Sequence, residues 1–578
     1  MIACVWLAGL WLAAPLLHRQ PYTLVDRIRS MIVLGVALPF VLGYLALLSA
    51  PLLWLALALL VTLRFTRRNA PTMLPPDRSL LLVLVGVLLV AWPALVRPPL
   101  DGDTLLYHLP NAFTWAQQHS VWQTNLPEWY YPGASELFGS PLIAIGARFA
   151  LPLCGLLPAL LLIGRILLEG RRLGAPPIVA VLTALAFIWT PVAAFETGTM
   201  QNDLWLAAFF LEAIYASQSG NAIALAMSAL LKPSGWVFAL IAGFTRRAWS
   251  PSVLLAAIPL TLWVIRDAIL APHALVPFAS QPPYWTSTIA GNLLSSGPAF
   301  TSGFAVAGVG AVLWLMLPVG AFFIPHLRTP ALAGTGAIVA FVLLPLSYQA
   351  AAINYLANGS SLRFALPAMA VGAVIWCAFG VRAPAIVGAV SGVLAVLGAV
   401  QVLGIFWNDS LTHTALLLAI AFALLLYLPA KFLKPALAMA AIVAISYGAN
   451  AAQHRALGFY ADWMRGPTGS PTGVFTWLSK TQPPRLATWN VRAGAVAMIS
   501  PNTQLFEVDS NHPCAFIRTA HAVLFIGTDR DTNPQQRAQR FAMVHSCGPT
   551  VYQDASALIV HWNSSVLHHE SPGLVGSE

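Results

Sequence analysis

Apolar residues run through this chain in long blocks, and short polar breaks divide those blocks into candidate membrane helices. A bilayer is spanned by about twenty apolar residues in a helix. On that measure Met1–Leu17 is a short first span, and it lacks the basic leader of a cleaved signal. Met31–Leu63 is too long for one span and breaks at Ser49-Ala50-Pro51 into a hairpin. Leu80–Val96, Arg148–Leu168, Pro176–Phe195 and Leu204–Ala216 follow as spans. Asn221–Phe244 is interrupted by Lys232-Pro233-Ser234-Gly235, the pattern of two half-helices. Ser252–Leu270, Gly303–Pro325, Ala331–Gln349, Phe364–Phe379, Ala383–Phe406, Ala415–Pro429 and Pro435–Tyr447 bring the total to about fifteen.

The breaks carry the topology. Arg19, Arg27 and Arg29 follow the first span, and Arg64, Arg67, Arg68 and Arg78 follow the hairpin. The positive-inside bias assigns both groups to the cytoplasm. The loops at 97–140 and 271–302, rich in Trp and Tyr, then face outward, with part of the first lying along the membrane surface. From Ala451 the pattern changes. Short β-type runs appear at Arg485–Trp489, Gln504–Val508, Ala522–Gly527 and Ala557–Trp562, with a helix-compatible stretch at Pro534–Phe541. The expectation is N-terminal spans at 1–79, a transmembrane core at 80–450 and a soluble extracytoplasmic α/β domain at 451–578.

Composition narrows the class. The chain has 578 residues, of which 58% are hydrophobic and 9% charged. Soluble domains carry about a quarter charged residues, so this is a polytopic membrane protein; its expected place is multi-pass in a cell (inner or plasma) membrane, with membrane lipids as partners. Its net charge of +10 lies in loops that set orientation, and gives no reason to expect nucleic acid. The five cysteines form no metal pattern. Cys514 and Cys547 alone lie outside apolar runs, either as a disulfide or as two free thiols.

The candidate chemistry begins where the span Leu80–Val96 ends. Asp101, Asp103, Tyr107 and His108 come within twelve residues of Val96. Ionisable groups at membrane depth are expensive and mark function or a partner. Glu136, Asp203, Arg266 and Arg363 fall on the same outer side, with Lys232 at the broken span. A carboxylate can take a proton from an attacking hydroxyl, and cations can stabilise a departing phosphate. The plainer alternatives are an N-cap for Asp203, pairing with Asp267 or snorkelling for Arg266 and an ordinary loop position for Glu136.

Asp103-Thr104-Leu105-Leu106-Tyr107 resembles the Asp-(Glu)-x-x-Tyr motif of GT-C glycosyltransferases, the superfamily of protein O-mannosyltransferases and lipid A aminoarabinose transferases. In the same order come Tyr131-Pro132, Asn202-Asp203-Leu204, Leu231-Lys232-Pro233-Ser234-Gly235, Trp263-Val264-Ile265-Arg266 and Arg363-Phe364 with Pro367. The chain departs from the pattern at Thr104, where the family has Glu, and in having about four spans ahead of Asp103 instead of one. The resemblance implies a GT-C-like bundle and inverting transfer of a sugar from a polyprenyl-phosphate donor to a lipid, glycan or protein acceptor. Asp103 would be the base, Asp101 a second catalytic acid, and Tyr107, His108, Glu136, Asp203, Lys232, Arg266 and Arg363 would bind substrate. The residues themselves name no cofactor; a divalent metal is left open. A transporter or flippase for lipid-linked or anionic substrates is the alternative, and it requires polar residues to continue through the bundle.

Overall fold

The chain is described from a computed structural model, which covers residues 1–18, 20–67, 71–75, 78–99, 101–124, 129–216, 218–246, 251–270, 310–343, 360–406, 430–463, 472–489, 492–508, 513–514, 517, 523–527, 534–553 and 557–561. The expected outer loop 271–302 and the span Ala415–Pro429 lie outside the described residues. The helices in chain order begin with α1 (Ile2–Ala13), α2 (Leu24–Tyr44), α3 (Ala50–Thr66), α4 (Arg78–Leu95), α5 (Leu109–Gln118) and α6 (Ala134–Ala144). They continue with α7 (Leu153–Arg172), α8 (Pro177–Ile188), α9 (Pro191–Glu196), α10 (Asp203–Tyr215), α11 (Gln218–Ala229), α12 (Pro233–Arg246) and α13 (Pro251–Leu270). After α14 (Gly310–Ala321) come α15 (Arg328–Leu343), α16 (Leu366–Phe379), α17 (Pro384–Phe406) and the long α18 (Ala430–Trp463). The C-terminal part holds α19 (Thr472–Thr481), α20 (Ala493–Ile499) and α21 (Pro534–His545).

The chain divides into two compact units, Met1–Pro99 with His119–Trp122 and Tyr130–Ala452, and Leu100–Gln118 with Gln123–Trp129 and Gln453–Glu578. The first is a bundle of apolar helices. Among the described residues four helices are long and apolar enough to cross a membrane, at Arg148–Arg172, Pro325–Leu343, Leu362–Phe379 and Pro384–Val402. Their burial differs: 89% of the first is covered by protein, but only 22% of the last. Ile386, Val393, Val396, Leu397 and Val400 on α17 are exposed. An apolar face of that size needs an apolar solvent, which lipid supplies. The protein is therefore a polytopic α-helical membrane protein with a small C-terminal α/β domain.

Local chemistry explains the element ends. The expected hairpin break is present between Tyr44 and Ala50, but α2 starts earlier than the apolar pattern suggests. Its charged first turn is helical because Thr23 and Asp26 form a reciprocal capping box, with Asp26 N–H donating to Thr23 Oγ1 at 3.2 Å and Thr23 N–H to Asp26 Oδ2 at 3.0 Å. The broken span resolves into α11 and α12 joined by a turn at Leu230–Lys232. Gly235 is required there, since a Cβ would meet the Ser228 carbonyl oxygen. At the centre of the bundle, α10 is buried from Asp203 to Ile214 and packs against α7, α9, α11, α12 and α16. A helix that is apolar on every side belongs in such a core.

The second unit contains a five-stranded sheet of β1 (Arg485–Trp489), β2 (Gln504–Glu507), β3 (Val523–Gly527), β4 (Thr550–Gln553) and β5 (Ala557–Val560) in the order β2-β1-β3-β5-β4. Strand β1 is parallel to β2 and β3, while β5 is antiparallel to β3 and β4. All four expected strands are present, β4 being the one the pattern missed. The core beneath them includes Ala487, Trp489, Val508, Val544, Leu558 and Val560. Cys514 and Cys547 are joined in a disulfide against this core, and Cys4, Cys154 and Cys377 are free. Denatured, unreduced protein should therefore label at those three cysteines only, and at all five after reduction. Cys514→Ser should destabilise the domain by about 2–4 kcal/mol; labelling of Cys514 and Cys547 without reductant would contradict the bond.

Candidate active site

The expected site residues fall into two groups, one in each unit. Asp101, Asp103, Tyr107 and His108 belong with the C-terminal domain, and Glu136, Asp203, Lys232, Arg266 and Arg363 belong to the bundle.

In the first group, Asp101 opens a helical segment that runs into α5. Its Oδ1 accepts from Thr104 N–H at 2.8 Å, which makes it a side-chain cap. Enclosure pushes the Asp101 carboxyl above the ordinary carboxylate range, against the Thr104 hydrogen bonds, and the neighbouring Asp103 adds to the rise. Thr104–His108 forms a single π-helical turn, in which Leu109 N–H donates to the Thr104 carbonyl. Such turns are rare and concentrate at functional positions. The Tyr107 and His108 rings lie 4.1 Å apart between centroids, with His108 buried and Tyr107 half-buried.

In the bundle, the first residue of α10, Asp203, is an ion-pair hub and not the helix cap. Its Oδ1 accepts from Lys232 Nζ, and Arg363 Nε lies 3.4 Å from Oδ2. Lys232 Nζ is 4.8 Å and Arg363 Cζ 5.0 Å from the Phe364 ring centroid, so one aromatic ring meets both cations. The turn that delivers Lys232 is tied on two sides, by Asn202 Nδ2 donating to the Leu231 carbonyl at 3.0 Å and Ala134 N–H to the Leu230 carbonyl at 3.0 Å. Glu196 Oε2 accepts from Leu204 N–H at 3.4 Å at the same helix end. Glu136 is buried, and its Oε2 accepts from Ser135 Oγ at 2.7 Å. Arg266 has the plainer role weighed for it: Nη1 pairs with Asp267 at 2.6 Å, Nε donates to the Val121 carbonyl at 2.7 Å, and the guanidinium stacks on Trp263.

Sequence reasoning passed over Glu196, Phe364 and a larger feature at the far end of α10. Glu212, fully buried, accepts from Arg165 Nε at 2.6 Å and Nη2 at 2.8 Å, and from Arg29 Nη1 at 2.9 Å. Arg165 also reaches Glu169 at 3.0 Å and Asp26 at 3.1 Å, and Arg172 reaches Glu169 at 2.9 Å. Three carboxylates and three guanidiniums thus neutralise one another across α2, α7 and α10. The signal was a lone acid and a lone base inside two otherwise apolar spans. Among the described residues no group of three or more His, Cys, Asp or Glu could hold a metal ion.

No protein-family model matches the chain, and no curated protein matches it. The crystal structure of ArnT from Cupriavidus metallidurans in the apo state is similar over 82% of this chain and 96% of that one, at 14% identity and a TM-score of 0.47.

Breaking a buried ion pair on one side leaves a bare charge and costs about 3–5 kcal/mol, whereas replacing both partners by apolar groups is often neutral. Glu212→Leu should accordingly lower stability by that amount, and Glu212→Leu with Arg165→Met should recover part of it. Thermal unfolding in detergent measures both. A double variant no more stable than the single one would contradict the pairing.

Proposed function

We propose that the protein is an integral-membrane glycosyltransferase, moving a sugar from a polyprenyl-phosphate donor to an acceptor hydroxyl at the outer face of a cell membrane. The observation that carries this reading is the meeting of Lys232, Arg363 and Phe364 on the single carboxylate of Asp203 at the end of a buried helix. Two cations brought to one end of a buried helix, with Glu196 also at that end, can meet a phosphate group by charge-assisted hydrogen bonds. The Asp103-Thr104-Leu105-Leu106-Tyr107 segment resembles the one that carries the base in GT-C glycosyltransferases.

In the reaction, Asp103 takes the proton of the acceptor hydroxyl as its oxygen attacks the anomeric carbon. The bond from that carbon to the phosphate oxygen breaks, its electron pair leaves with the phosphate, and configuration inverts. Lys232 and Arg363 stabilise the phosphate as its charge grows. Asp101, committed to its capping bond, shapes the segment; Tyr107, His108 and Glu136 contact the sugar or the acceptor. Arg266, paired with Asp267, contributes by holding Val121 in place. The disulfide suits an oxidising, extracytoplasmic compartment for the C-terminal domain.

The transporter alternative needs polar groups along the path between the two ends of α10. Leu204 to Leu211 are all apolar there, and the charges beyond are neutralised by their own partners.

A positioned general base contributes about a hundred- to ten-thousand-fold to rate. Asp103→Asn should therefore reduce turnover by at least about a hundredfold without loss of folded protein. Asp101→Asn should be milder, since Asn caps a helix nearly as well as Asp, while Asp101→Ala should cost about 1 kcal/mol of local stability. The assay is polyprenyl phosphate released in proteoliposomes from a panel of pentose- and hexose-linked polyprenyl phosphates, with extracted membrane lipid as acceptor. Near wild-type turnover in Asp103→Asn would end the reading of Asp103 as the base.

A further inference from the structure

Three arginines meet at the end of α1–α3 that carries the basic breaks. Arg27, near the start of α2, donates to the Trp11 carbonyl from Nε at 3.2 Å and from Nη2 at 3.0 Å, and its guanidinium lies 4.1 Å over the Trp11 ring. Its Nη1 reaches Met73 Sδ at 3.8 Å. Met73 is brought there by Thr72–Leu74, which pairs with Tyr22 through Leu74 N–H at 2.9 Å and Tyr22 N–H at 3.3 Å. Arg67, the cap residue of α3, donates from Nη1 to the Leu16 carbonyl at 3.2 Å. Arg64 stands one turn earlier on α3. Its Nε is buried with no hydrogen bond among the described residues, and its charge acts on Arg27.

None of the three meets a carboxylate among the described residues, and Asp26, next to Arg27 in sequence, pairs with Arg165 and Arg29 instead. The carbonyls at the end of α1 orient the guanidiniums but carry only partial charge. Arginines that merely snorkel to the membrane surface would need neither these carbonyl bonds nor a buried Nε. Beside them runs an apolar stripe. Leu55, Leu59 and Leu63 of α3 are exposed at a spacing of four, and Arg67 follows at the same spacing, which places all four on one face. Helix α1 lies alongside, with Trp6 edge-on to Trp54 at 5.5 Å, and adds Val5 and Leu12 to the exposed apolar surface.

We infer that this end of the N-terminal helices is a binding site for an anionic phospholipid, in which Arg27, Arg64 and Arg67 meet the phosphate and the Leu55-Leu59-Leu63 stripe meets the acyl chains. Guanidiniums match phosphate oxygens in charge and geometry, and basic pockets between helices at the cytoplasmic face take anionic headgroups. A soluble phosphate would use the cations and leave the stripe idle. The site needs nothing from the transferase reading, and a lipid held there would fasten α1, α2 and α3 to one another.

Native mass spectrometry of the full chain in detergent, titrated with dioleoyl phosphatidylglycerol or dioleoyl phosphatidylcholine, tests this. The two lipids share acyl chains and phosphate, but choline neutralises the second. Phosphatidylglycerol should bind wild type at least about tenfold more tightly, and Arg64→Gln and Arg67→Gln should each weaken it about fivefold. The double variant should bind the two lipids alike. Arg382→Gln, which removes an exposed cation between α16 and α17, should leave the preference intact. Equal binding to wild type, a preference that survives the double variant, or an equal loss in Arg382→Gln overturns the inference. Inorganic phosphate should fail to displace the lipid even in large excess; displacement at equal concentration would overturn the lipid assignment in favour of a soluble anion. Should the double variant fail to accumulate, a photoreactive phosphatidylglycerol on wild type decides. Its cross-links should concentrate on residues 55–67, and an equal yield on the exposed face of α17 would contradict the site.

Discussion

Two acids buried on one apolar helix, Asp203 and Glu212 of α10, set the terms for the bundle around it. A carboxylate withdrawn from water must be matched by cations, and the cost of leaving it bare exceeds that of most packing defects. Glu212 therefore draws in Arg165 from α7 and Arg29 from α2, and those in turn draw Glu169 and Asp26. Asp203 draws in Lys232 from the turn between α11 and α12, and Arg363 from the segment leading into α16. The nine-residue separation of the two acids spans about 13.5 Å of helix. Each end of α10 thereby fixes the register of helices that share no local sequence signal with it.

The two ends differ in what surrounds them. At Glu212 three guanidiniums meet three carboxylates, and the cluster is self-contained. Around Asp203 two cations share one carboxylate and one aromatic ring. The Asp103 segment reaches its geometry by other means, through a capping aspartate, a π-helical turn and a glycine of α20, Gly494, that allows backbone approach.

Much of the fold was legible from pattern alone. The hairpin break at Ser49-Ala50-Pro51, the interruption at Lys232 and four strands of the C-terminal sheet follow from apolar periodicity and turn residues. Four things were not. The start of α2 was hidden because its charged turn owes its burial to α7 and α10, and β4 because its exposed Thr550–Gln553 pattern lacks an apolar face. The partners of buried charges were hidden because Arg29 and Glu212 lie 183 residues apart, and hydropathy records only that a charge is present. The attachment of α5 to the C-terminal domain was hidden for the same reason, since Gln117 meets Pro501 across 384 residues.

The central claim is that the cations at Asp203 recognise a phosphate on an isoprenoid chain. Geranylgeranyl phosphate and geranylgeraniol differ in that group alone, so their dissociation constants on the reconstituted protein measure it directly. The account predicts that the phosphate binds at least about tenfold more tightly, one charge-assisted contact's worth, and that this preference is lost in both Lys232→Met and Arg363→Met. Equal binding of the two lipids to the wild-type protein, or a preference that survives both substitutions, would contradict it.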